Sequence, residues 1–172
     1  MPVLLMLGAL ILFRMMRNAA VPPFWTYAYF MTMNLMALIA FASLNIAAIL
    51  MRRKTRWHRR LMFCGMAALV VTPFNRLTPD ALLAQHMSLI PALAILLFPI
   101  SGIAADWLRD RHIHPAWLWG LGVLCMTAIT TETVGRSPLA GRMVGLITAE
   151  SPGAQVDPFI KHMPPSDPDG RP

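Results

Sequence analysis

A chain of 172 residues in which 56% are hydrophobic and only 13% charged has too little charge to solvate the surface of a water-soluble globule of that size. Its formal charge of +7 would suggest a polyanionic partner in a soluble protein. Most of the excess, however, lies in short stretches between apolar runs, which argues against nucleic acid and for a multi-pass membrane protein with basic loops.

The first apolar segment, Val3 to Met16, is uninterrupted only as far as Phe13. A helix of that length covers about 20 Å, so the segment is either a short or tilted span whose Arg14 and Arg17 stretch to the interface, or a helix lying partly among headgroups. No basic region precedes it and no A-x-A site comes after it, so it is read as mature protein rather than a cleavable signal. Pro22 and Pro23 in "VPPFW" predict a turn, and Trp25 suits an interface.

The second segment, Trp25 to Met51, carries no charged side chain and exceeds the roughly 20 residues that a spanning helix needs. It ends at "RRKTRWHRRLM", residues 52–62, where six Lys or Arg and His58 crowd into nine positions. The third, Leu61 to Leu77, is shorter but has Arg60 and Arg76 at its ends, and Thr78 or Asp80 is a suitable N-cap for the next helix. The fourth, Ala81 to Leu108, contains Pro91 and Pro99, each expected to kink it. The fifth, Pro115 to Thr131, opens on a proline suited to a first helical turn, with Trp117 and Trp119 near the membrane boundary.

After Ser137 and Pro138, the spacing of Leu139, Met143, Leu146 and Ile147 predicts a short interfacial amphipathic helix within 135–150. The last stretch, 151–172, is rich in Pro and Asp and predicts an extended polar tail. The sequence thus describes an all-α membrane protein: a bundle of four to five transmembrane helices over 1–134, the interfacial helix, and the tail.

Charge sets the expected orientation. Arg52, Arg53, Lys54, Arg56, Arg59 and Arg60 share a side with Arg109 and Arg111 if the third and fourth segments both span. The positive-inside rule makes that side cytoplasmic and puts the tail opposite, although Arg14, Arg17, Arg76, Arg136 and Arg142 fall on the far side. The same eight cations are the candidate contacts for anionic lipid or an acidic partner surface.

Few residues suggest chemistry. His58 with His112 or His114, ringed by Arg59, Arg60 and Arg111, is a candidate haem or quinone site, whereas His86 lies at the opposite face. The imidazoles of "HIH" diverge by about 200° on a helix and no third ligand is evident, so no metal site is expected. Methionines such as Met31, Met33 and Met36 suit packing better than Cu(I). Cys64 and Cys125 read as small buried hydrophobes. Asp106 is explained by a local ion pair with Arg109, and Glu132 is positioned to meet Arg76 or Arg136. Asn34, Asn45 and Asn75 are expected to hydrogen-bond between helices. No nucleophile with its base, phosphate cradle or paired-carboxylate site is present, so catalysis is not expected.

"HRRLM" at His58–Met62 and "DWLRDRHIHP" at Asp106–Pro115 resemble a group of small bacterial multi-span membrane proteins with an HRRLM or HKRLM motif before one span and an Asp, a basic loop and HP after a later one. The similarity covers about residues 50–145. It implies a compact helical fold in the bacterial inner membrane and brings no activity with it. It also implies a His in the segment before the basic loop; Tyr27 and Tyr29 stand there, which weakens the haem reading. The expectation is therefore a non-catalytic accessory or scaffolding subunit that packs against other transmembrane proteins.

Overall fold

The computed structural model describes residues 2–21, 25–77 and 89–160, and all of its regular structure there is helical. The expected turn at Pro22 and Pro23, the cap at Thr78 or Asp80, His86 and the end of the tail from 161 lie outside the described residues, as do the side chains of Asn75 and Arg76.

Helix α1 spans Pro2–Arg17 and α2 spans Tyr27–Leu50. Thr26 caps α2, its hydroxyl accepting the Tyr29 amide at 3.4 Å. Helix α3, Thr55–Leu77, begins six residues before the apolar segment read from the sequence, so Trp57, His58, Arg59 and Arg60 are helical. Helix α4 spans Leu89–Asp110 with Pro99 inside it, where the missing amide leaves the Ile95 carbonyl without its usual donor. Arg111 takes a left-handed conformation at φ 52° and its amide closes on the Trp107 carbonyl at 3.1 Å, which ends α4. Helix α5, Pro115–Gly135, starts on the expected proline, and α6 spans Pro138–Thr148.

Helices α2 to α5 form a closed ring: α2 packs on α3 and α5, α3 on α4 and α5, and α4 on α5. Hydrocarbon offers no hydrophobic drive for helices to associate, so close packing over small residues has to supply it. Gly120 of α5 lies directly against the buried Cys64 thiol of α3, and Gly65 of α3 against the Asn45 amide of α2. Large apolar side chains such as Ile39, Ile46, Leu93, Leu97, Met126 and Ile129 point outward instead. Helices α2, α4 and α5 are each long and apolar enough to cross a membrane.

The ring has two chemically different ends. One gathers the C-termini of α2 and α4 and the N-termini of α3 and α5, and so holds both basic loops. At the other, α1 and α6 pack on α2 beside the end of α5. Here α6 buries Ala140, Val144 and Thr148 against the bundle with Ile147 partly covered, while Leu139, Met143 and Leu146 face outward. Small residues allow the closer approach. Ser137 begins the helix, but its hydroxyl donates to the Val134 carbonyl at 2.7 Å rather than capping the first turn.

The tail is not extended along its first ten residues. A short 3-10 turn, Pro152–Gln155, brings Gly153 against the Met16 carbonyl of α1. The Pro158 carbonyl then accepts the Ala28 amide at 3.1 Å, satisfying one of the free donors in the first turn of α2.

Candidate functional site

An aspartate near the end of an apolar helix needs a partner. Asp106 of α4 finds two, on two other helices. Its Oδ2 accepts Arg60 Nε at 2.7 Å and lies 2.6 Å from Arg60 Nη2; it also accepts Trp117 Nε1 of α5 at 2.7 Å. The Arg60 and Asp106 side chains are 15% and 20% exposed. The local pairing with Arg109 expected from the sequence is therefore replaced by a clamp joining α3, α4 and α5. Because α3 starts at Thr55, Arg60 already projects from its second turn, and Arg60 Nη1 donates back to the Arg56 carbonyl at 3.0 Å.

Trp117, near the start of α5, turns into the bundle and is only 5% exposed. Its six-membered ring lies over Gly102 of α4, where a Cβ would overlap it, and Phe63 of α3 meets it edge-on at 5.7 Å. Trp25 is likewise buried, stacked on Tyr29 at 5.5 Å rather than facing headgroups.

Beside this clamp a cleft of about 550 Å³ opens between α3 and α4. Arg56, Arg59, Arg60 and Arg109 line it with Asp106 and Asp110, and Phe63 and Trp117 form its apolar wall. Among the described residues ion pairs join only Arg60 to Asp106 and Arg136 to Glu132, so Arg56, Arg59 and Arg109 keep unneutralised charge. Arg52, Arg53, Lys54 and Arg111 are exposed around the same end but do not line the cleft.

His58, His112 and His114 are at this end too, the first and last of them in structural contacts. His58 Nδ1 donates to the Ala48 carbonyl of α2 at 2.8 Å. His114 Nδ1 accepts the Ala116 amide at 3.2 Å and so caps α5, while its ring meets Trp57 edge-on at 5.4 Å. Partial burial, and then the cations Arg60 and Arg56, hold the His114 pKa below its ordinary value, against an opposing pull from Asp106. His112 is exposed. Among the described residues no three His, Cys, Asp or Glu side chains converge as metal ligands would.

At the opposite end Glu132 meets Arg136 at 3.0 Å, as expected, and also accepts the Tyr29 hydroxyl at 2.6 Å. Only the charge of Glu132 hinted at that second bond. Asn34 and Asn45, expected to bond between helices, instead donate to carbonyls one turn back, Phe30 at 2.8 Å and Phe41 at 2.7 Å. The buried Asn45 Oδ1 has no partner among the described residues. Cys64 is buried as expected and Cys125 half-buried.

No protein-family model, curated protein or solved structure matches the chain.

Proposed function

We propose that this chain is a non-catalytic packing subunit of a larger assembly in the bacterial inner membrane. In this reading α3 spans together with α2, α4 and α5, the basic end is cytoplasmic, and the cations there contact anionic lipid or an acidic partner surface. The observation that carries the reading is a lateral groove of about 560 Å³ between α2 and α5. It is lined by the small residues Ala40, Ser43 and Gly122 together with the larger Met36, Leu118 and Trp119. A side chain at Gly122 would meet nothing within 4 Å. Small residues in an apolar groove are what a second transmembrane helix needs to approach closely. The polar groups that could support chemistry are meanwhile taken up in holding helices together, as at Asp106 and Glu132.

A photo-reactive residue at position 122 tests this in intact membranes. The expected result is a discrete protein adduct from position 122 and lipid adducts alone from position 93 on the outer face of α4. Lipid adducts alone from both positions, with a monomer on purification in mild detergent, would defeat the proposal.

A further inference from the structure

We infer that the cleft between α3 and α4 binds the phosphate headgroup of an anionic membrane lipid. The inference rests on the membrane reading above but not on the packing groove, which lies between α2 and α5.

Charge is the first argument. Arg60 is neutralised by Asp106, which leaves Arg56, Arg59 and Arg109 opposed only by Asp110 within the cleft. Arg56 and Arg59 come from the first two turns of α3, and Arg109 faces them from the last turn of α4. Guanidinium groups carry planar forks of donors matched to phosphate oxygens, and a pair set on opposite walls holds an anion more selectively than one flexible cation does. The Arg60–Asp106–Trp117 clamp keeps both walls at a fixed separation, so the site is formed before anything enters it.

The second argument is where the cleft leads. Its wall is Phe63 and Trp117, and Phe63, 41% exposed, is succeeded one turn along α3 by Met66 at 55%. Leu97 on α4 is 58% exposed. Arg59, Phe63 and Met66 recur at i, i+4 and i+7, so one edge of α3 passes from cationic to apolar within two turns. A small soluble phosphate would use only the cationic part. A glycerophospholipid matches both, with its phosphate among the arginines and its acyl chains along the apolar edge.

The test uses the full chain in neutral detergent, where no charged bilayer surface contributes, with equimolar phosphatidylglycerol and phosphatidylcholine and native mass spectrometry as the readout. The parent should retain phosphatidylglycerol in preference. The Arg59→Gln/Arg109→Gln double variant should lose about tenfold or more of that binding, whereas Arg14→Gln/Arg17→Gln, which removes equal charge from exposed positions at the opposite end of the bundle, should keep it. Both arginines of the cleft pair are exposed and outside the ion pairs among the described residues, so the fold should survive; each single variant, read the same way, should show part of the loss. Equal weakening by the two double variants would reduce the effect to diffuse attraction and overturn the site. Complete displacement of the lipid by an equal concentration of glycerol 3-phosphate would make the ligand a soluble phosphate and overturn the lipid assignment.

Discussion

Arg60 and Asp106 stand 46 positions apart in the chain, yet two guanidinium nitrogens of the one reach a single oxygen of the other within 2.7 Å. That oxygen also accepts the Trp117 indole, so one carboxylate holds three helices at the basic end of the bundle. Removing the carboxylate leaves a cation and an indole donor without their partner in a site that is mostly shielded. Asp106→Ala should therefore cost ~2 kcal/mol, below the usual figure for a fully buried pair because both side chains keep some solvent contact. Arg60→Met together with Asp106→Leu should recover most of the loss, since apolar replacement of both partners is often neutral. Thermal unfolding of the three proteins in detergent checks this. A double variant as unstable as Asp106→Ala would show that the carboxylate acts through Trp117 rather than through Arg60.

Gly102 decides whether the indole can reach that carboxylate. A methyl group there would overlap the outer ring of Trp117, so Gly102→Ala should push the ring aside and break its bond to Asp106. The expected cost is about 2 kcal/mol from overpacking, with loss of near-ultraviolet dichroism from the tryptophan. Gly122→Ala is the natural comparison, because its added methyl meets no atom within 4 Å and alanine favours a helix by up to about 1 kcal/mol. Equal melting temperatures for the two variants would mean that the close fit over Gly102 is unimportant.

How far the sequence foretold these features depended on whether the information was local. The apolar runs located α1, α2, α5 and the short helix after Ser137, because hydrophobic length is written residue by residue. The nearness of Glu132 to Arg136 was legible for the same reason, one helical turn separating them. Asp106 misled because Arg109 satisfies the same local rule, while the true partner depends on where α3 begins and which face it turns to α4. The inward direction of Trp25 and Trp117 was not legible because amphipathic aromatic residues serve equally at an interface and in a core with a hydrogen-bond acceptor. The buried face of α6 was hidden by its small residues, since the apolar pattern picks out bulk and the packing selected Ala140 and Val144.

His114 should make the basic end sensitive to mild acid. Its Nδ1 caps α5 only while it carries no proton, and burial together with Arg60 and Arg56 disfavours the charged ring. The folded pKa is thus below the ordinary 6.5, and below that pH the unfolded chain binds more protons than the folded one. Stability is full above the unfolded value and falls as the pH drops through the folded one. His114→Asn keeps an oxygen acceptor at the N-cap without a titrating group, so its melting temperature should vary less than the parent's between about pH 5 and 7.5. Parallel profiles for the two proteins would assign the acid response to other groups.

The start of α2 depends on the other end of the chain. The Ala28 amide, one of the first-turn donors that a helix cannot satisfy by itself, is bonded to the Pro158 carbonyl, and the turn that carries Pro158 there passes Gly153 directly over the Met16 carbonyl. A Cβ at 153 would overlap that oxygen, so Gly153→Val should lift the segment from α1 and leave the Ala28 amide unpaired at the buried face of α2. The expected cost is about 1–2 kcal/mol, with new protease cleavage between residues 150 and 160. Removing 151–172 should give a similar loss, because the same donor is exposed in both proteins. A valine variant that melts with the parent, while the truncated chain does not, would place the stabilising contacts beyond the turn and away from the α2 amide.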